Sequence, residues 1–337
     1  MNFSGGVKKN LVLLTAASFL SFLLLEAGYR VVLFGPESLS PAIMSSIHTI
    51  DEELIRASSV PEAVWELKPF LNILFKKARL KTNSQGLRDQ EYSIVKPEGV
   101  FRIAVVGDSM TLPDGVAIED AFHSILETRL NSQSRGKKYE LINFAVGGYN
   151  LRQYAAVLEK KIALYQPDLV LIGFCPENDF SPYPEKIFNQ RYQPRRVRYP
   201  WFYLYVFEKM GEIFQGRFIS PDYAQKKNIR LESAGLSVEN QSYVQGLLKR
   251  VQVFSAKTRI PIVIINIDNH PTPEAYVRFL ERETAAFGLY FLDLSAFFSL
   301  KELPRYRLYR ADLHPNKAAH RVFAERLFDF LIGHKLG

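Results

Sequence analysis

"FRIAVVGDSMTLPDGV", residues 101–116, is the stretch on which the fold turns. Phe101–Val106 is a short apolar run ending in glycine, the pattern of a strand buried on both faces. The chain then leaves through Gly107-Asp108-Ser109 and turns toward a helix, so backbone amides near the serine are free to face a ligand. On both sides of this stretch the residues either repeat the strand–loop–helix rhythm or break it.

Ala121–Leu130 has helical spacing, and Glu140–Phe144 reads as a second strand followed by a Gly-Gly turn and a helix near Leu151–Leu164. Asp168–Phe174 and Pro261–Ile267 read as the third and fourth strands. Pro273–Phe287 is helical, Tyr290–Leu294 is a fifth short strand, and Asn316–Ile332 is a terminal amphipathic helix. Strands alternating with helices predict an α/β domain, a mainly parallel five-stranded sheet between two helical layers. The ligand crevice of such a sheet lies at the carboxyl ends of its strands.

The chain has 337 residues, room for one large domain with appendages, and its 47% apolar and 23% charged residues are those of an ordinary globular protein. A net charge of +8 permits attraction to anionic polymers or membrane surfaces without requiring either, and no nucleic-acid motif is present. The single cysteine, Cys175, rules out an intrachain disulfide and a multi-cysteine metal site. With no clustered His/Cys pattern and no Gly-rich phosphate loop, neither a metal nor an organic cofactor is implied.

Residues 1–35 differ from the rest. Lys8 and Lys9 precede the uncharged run Leu11–Leu25, and Glu26 and Arg30 follow one helical turn apart before Val31–Phe34. The run alone is short of the roughly 20 residues a span needs, but counting on to Phe34 is sufficient. The basic flank predicts a cytoplasmic N-terminus with the bulk of the chain outside. A cleaved signal peptide is the rival, and the poor small-x-small site at Ala27 argues for an uncleaved anchor. Residues 36–98 read as a polar tether and lead-in segment, and 99–337 as the main α/β domain. Within it, about 180–237 is an aromatic and basic insertion, read either as a lid or substrate platform or as a helical excursion packing on the body or the membrane.

A serine hydroxyl is a weak nucleophile unless a base takes its proton. Of six histidines, His314 stands out in "RADLHPNKAAH", with Asp312 two residues upstream and a helix start behind it. A carboxylate that close accepts from imidazole Nδ1 and turns Nε2 toward a serine. His270, after the fourth strand, is the alternative. Oxyanion donors are expected in the loops after strands two and three, where "NFAVGGYN" offers Gly148 and "GFCPENDF" offers the Asn178 amide. Taken singly, these read as a turn glycine and a helix cap.

Together the four blocks resemble the SGNH hydrolases, or GDSL esterase/lipase family, over roughly residues 101–331. They are Gly107-Asp108-Ser109, Asn143 through Gly148, Asn178-Asp179, and Asp312 through Asn316. The lead-in "TNSQGLRD" followed by "KPEGVFRIAVVGDS" is similar to membrane-anchored bacterial members. The resemblance implies a flavodoxin-like three-layer domain with Ser109 as nucleophile, His314 as base and Asp312 as its orienter. It also implies an oxyanion hole from the Ser109 and Gly148 amides and the Asn178 side chain. Two departures stand out. Pro176 occupies the position of the third block's usual glycine, and Ala311 that of the usual acid, leaving Asp312 one residue closer to the histidine. An Asp-x-His spacing also occurs in related polysaccharide O-acetyltransferases. The expectation is therefore a serine esterase at the cell envelope, acting on an acylated carbohydrate or lipid. Acyl transfer to a polysaccharide is the alternative, and a non-catalytic binding module on the same fold is the third reading.

Overall fold

The structure, a computed structural model, describes residues 5–47, 53–134, 136–180 and 236–337. The greater part of the predicted insertion at 180–237 lies outside the described residues, as does His48.

Five parallel strands form the central sheet: β5 (Val100–Gly107), β6 (Lys138–Asn143), β7 (Leu169–Phe174), β8 (Ile262–Asn266) and β9 (Tyr290–Asp293). Their spatial order is β6-β5-β7-β8-β9, and every neighbouring pair is parallel. Successive side chains on a strand face opposite ways, and both faces are apolar. Ile103 and Val105 belong to one core with α3 (Phe122–Gln133) and α9 (Lys317–Gly333). Ala104 and Val106 belong to the other, with α4 (Leu151–Lys160), α6 (Val238–Thr258) and α7 (Glu274–Ala286). The expected three-layer parallel architecture is present, and the strands and helices read from the sequence lie within a few residues of their expected bounds, whereas the 21-residue α6 had no reading in the sequence.

The sheet interior requires two side chains to be missing. Gly107 and Gly173 are register partners on β5 and β7, and a Cβ on either would overlap the Thr111 side chain wedged between them. On β5, buried Arg102 bonds the Glu140 carboxylate at 2.8 Å and the Tyr165 carbonyl at 2.8 Å, leaving its charge compensated.

Within the segment read as a tether, residues 54–87 pack on the body of the domain. After α1 (Gly5–Phe34) and α2 (Pro41–Ser46), strand β1 (Ile55–Ala57) pairs with β2 (Trp65–Leu67), and β3 (Asn72–Phe75) with β4 (Ala78–Lys81). Leu54, Trp65, Leu67, Phe75 and Leu80 are buried in the same core as α4 and α6. Apolar side chains spaced along a polar segment were enough to bury it against the domain, at about 25 cal/mol per Å² of apolar area. Helix α1 is long and apolar enough to cross a membrane, as an anchor or a signal sequence would be.

Gly173→Ala is expected to cost about 1–3 kcal/mol through overpacking against Thr111. Thermal melts should show the loss largely relieved in the Gly173→Ala/Thr111→Ala double variant. Additive losses would mean that the two sites do not share this space.

Candidate active site

The strand order reverses at β5, which lies between β6 and β7, so the crevice of the sheet opens where these three strands end. After β5, Asp108 turns inward: its carboxylate accepts from the Met110 amide at 2.8 Å, and its carbonyl accepts from Leu112 at 2.8 Å. That turn pushes the next side chain outward. Of residues 102–116, Ser109 alone is not buried.

The loop after β6 continues alongside β5, with Val146 donating to the Gly107 carbonyl at 3.1 Å. Gly148 then adopts φ +78°, a left-handed turn suited to glycine, and is the one residue of 141–150 not fully buried. Asn150 and Gln153 close α4 with a reciprocal capping box.

After β7 the short helix α5 (Pro176–Asp179) starts on Pro176, a favoured first helical position. The buried Asp179 carboxylate accepts from the Cys175 and Leu151 amides, each at 2.7 Å, and so ties this turn to the start of α4. Burial above all, then the nearby Asp108 carboxylate, pushes its pKa well above the ordinary range. The same turn brings the half-buried Asn178 amide to the Asp108 carboxylate, to which it donates a hydrogen bond. Pro176 thus does not keep Asn178 from the strand end that carries Ser109.

Asp312 and His314 lie on a hairpin. Following α8 (Leu303–Tyr306), β10 (Arg307–Tyr309) pairs with β11 (Asp312–Pro315). Residues i and i+2 of a strand share a face, so an Asp-x-His spacing works here where a helix would need three or four. Asp312 Oδ1 bonds His314 Nδ1 and also accepts from the His314 amide at 3.0 Å. The buried Asn269 side chain clamps the hairpin by donating to the carbonyls of Leu313 (2.8 Å) and Tyr306 (3.0 Å).

Sequence reading missed Lys76. It forms with Lys77 the two-residue turn of the β3–β4 hairpin, and both have positive φ (45° and 67°). Such turns favour Asn and Gly, and a non-glycine residue held there costs of order 1 kcal/mol or more. The Lys76 side chain is only 7% exposed, and its ammonium lies 2.9 Å from Asp312 Oδ2, 3.2 Å from Asp114 Oδ2 and 3.2 Å from His314 Nδ1. Burial favours the neutral amine, but the two carboxylates outweigh it and raise the pKa of Lys76. Burial likewise opposes the Asp312 charge, yet His314 and Lys76 hold its pKa well below the ordinary carboxylate value. One detectable signal was the alternation Asn72–Phe75 and Ala78–Lys81 around a two-residue turn. The pairing partners, 238 residues away for His314, left none.

The structure brings Asp312 to His314, and Asn178 to the residue preceding Ser109. It forms no hydrogen bond at the Ser109 hydroxyl among the described residues. Apo sites commonly tighten only with substrate bound. His314 Nε2 lies 4.0 Å from Asp114 Oδ2, and its side chain is a quarter exposed. The other described histidines are less available. His123 and His320 are buried, and that burial, chiefly, lowers each pKa to about 3. His270 has its own Asp-x-His partner, Asp268 at 3.4 Å, but both are fully buried. His334 lies against Phe330 at the end of α9.

The family model described as "GDSL-like Lipase/Acylhydrolase family" matches residues 105–322. No curated protein matches the chain. Among solved structures, TesA is similar at 17% identity with a TM-score of 0.42, over 68% of this chain and 97% of its own. A two-domain esterase (CEX) active on acetylated mannans, co-crystallised with mannopentaose, gives 15% and 0.45 over 71% and 50%. A catalytic mutant of Axe2, an acetylxylan esterase from Geobacillus stearothermophilus, gives 14% and 0.43 over 70% and 94%.

Lys76→Met would leave two buried carboxylates without their cation, a loss of about 3–5 kcal/mol for a broken buried pair. A depressed carboxylate pKa stabilises the fold above the unfolded value of about 4, and that contribution disappears as pH falls through the folded value. Melts of both proteins should therefore differ most at pH 7, begin to approach each other near about pH 4 and converge only well below it, where the folded Asp312 protonates. A difference independent of pH would show that Lys76 acts by packing alone.

Proposed function

Since the chain belongs to the GDSL-like lipase/acylhydrolase family, we propose that it hydrolyses an acyl ester at the cell envelope through an acyl-enzyme on Ser109. His314 Nε2 takes the hydroxyl proton as Ser109 Oγ attacks the ester carbonyl. The tetrahedral oxyanion is received by the Ser109 and Gly148 amides and the Asn178 side chain. Collapse expels the alcohol, which takes its proton from His314. Water then attacks the acyl-enzyme with His314 again as base, and the acid leaves as Ser109 regains its proton.

The observation that carries this reading is the Asp312–His314 bond. A carboxylate on Nδ1 fixes the tautomer with Nε2 free to accept a proton and stabilises the imidazolium that results. Lys76 supports it by keeping Asp312 ionised. Acylated carbohydrate or lipid is the proposed substrate class. Helix α1, read as an uncleaved anchor after a basic flank, favours an extracytoplasmic catalytic domain.

Kinetics on a short-chain aryl ester test the roles separately. Ser109→Ala should abolish turnover, and His314→Ala should come close to it. Asp312→Asn should be milder, because the imidazole keeps part of its orientation. Asn178→Ala should lower kcat by about a hundredfold or more, the usual loss for one oxyanion donor. Full activity in Ser109→Ala would refute the assignment, and loss on His270→Gln with His314→Ala active would move the base to His270. Adding a polysaccharide acceptor and finding acyl groups on sugar rather than free acid would replace hydrolysis with transfer.

A further inference from the structure

Helix α1 does not simply leave the domain on a flexible stalk. Through Leu25 its large apolar side chains are exposed apart from the partly buried Phe22; beyond it Glu26 and Phe34 are buried and Tyr29, Arg30 and Leu33 partly buried, while Val32 stays exposed. Glu26 is buried and bonds Arg30 one turn later at 2.8 Å, so the charge at this boundary is compensated. At the end of α1, the Leu33 carbonyl accepts from the Ala311 amide at 3.2 Å, and Phe34 meets the Tyr309 ring edge-on at 5.7 Å. Phe34, Met44, Ile47, Leu308 and Tyr309 form one apolar cluster. Lys77 adds a cation 4.6 Å over the Tyr309 ring and an ion pair with Glu37 at 3.5 Å. The helix end is thus built onto the hairpin that carries Asp312 and His314.

This contact sets a height. From Leu25 to Leu33 the helix rises about 12 Å, at roughly 1.5 Å per residue. Ala311 is next to that point, and His314 follows within about 10 Å of extended chain. The headgroup layer on each side of a bilayer is roughly 5–8 Å deep. Because Leu11–Leu25 alone is short for a span, the hydrocarbon edge lies at Glu26 or beyond it, which brings the hairpin closer still. With the edge between Leu25 and Arg30, the hairpin stands about 5–12 Å above it, level with a sugar or other polar headgroup on a lipid rather than with the acyl chains.

We propose that the substrate is an ester carried on the polar headgroup of a membrane-resident amphiphile, delivered to His314 and Ser109 because α1 holds the catalytic hairpin at the membrane surface. The inference rests on the esterase reading and on α1 remaining attached.

The full chain, reconstituted in phosphatidylcholine–phosphatidylglycerol vesicles, is given three esters. These are an ether-linked dialkylglycerol bearing an O-acetylated monosaccharide, the same acetylated sugar free in solution, and an aryl acetate. The vesicle-held ester should be hydrolysed at least about tenfold faster than the free sugar. Inserting seven polar helix-forming residues between Leu25 and Glu26 raises the domain by about 10 Å. That insertion should remove most of the advantage while leaving aryl acetate turnover within about twofold. Equal rates on both sugars, or an insertion without effect, would overturn the proposal. Should the insertion damage the domain, a fluorophore on the exposed position Arg310→Cys of the otherwise unaltered chain decides. Strong energy transfer to a headgroup acceptor supports the geometry, and no transfer overturns it. If the parent chain hydrolyses none of the three esters, the esterase reading fails, while energy transfer still judges the placement.

Discussion

A single buried ammonium holds the two ends of the catalytic chain together. Lys76 enters from an N-terminal hairpin and sits between Asp312 and Asp114, within 3.2 Å of both, beside His314. Out of water, that charge is tolerable only with ionised partners in contact, so the position of the C-terminal hairpin follows from it. The turn that delivers it accepts positive φ at two lysines, strain that a surface turn of this type would shed by using Asn and Gly. Asp312 is thereby kept ionised and immobile, and its grip on Nδ1 is what qualifies His314 as the proposed base.

The rest of the site depends on the sheet. Three loops converge because β5 lies between β6 and β7, and each is fixed by buried polar groups rather than by its own chemistry. Asp108 ties down the first turn, the Asn150–Gln153 box the second, and Asp179 joins the third to α4. In each loop a residue within two positions of those clamps is left accessible: Ser109, Gly148 and Asn178. Anchoring the neighbours and exposing the proposed working group is how a rigid scaffold presents a reactive loop.

The sheet was legible because buried parallel strands are continuous apolar runs, and Val170–Phe174 or Ile262–Ile265 admit little else. Asp312 and His314 were legible as a pair because their relation is local, although the strand that puts them on one face was not foreseen. Lys76, Asn269 and the packed state of residues 54–87 were illegible for a common reason. Each acts through partners far along the chain, and a lone lysine, asparagine or tryptophan gives no sign of what will close over it. The Arg102–Glu140 pair belongs with these: inside an apolar run, a charged residue counts against a strand until its partner is known. The basic and aromatic character of 181–235 remains a statement about sequence only.

The central claim is that Ser109 is the nucleophile activated by His314. The most direct measurement is reaction of the full chain with a serine-directed fluorophosphonate, followed by peptide mapping of the adduct by mass spectrometry. The account predicts one adduct, on Ser109, formed in step with loss of esterase activity and nearly abolished in His314→Ala. An adduct on any other serine that tracks the loss of activity, or labelling of Ser109 at an unchanged rate in His314→Ala, would contradict it.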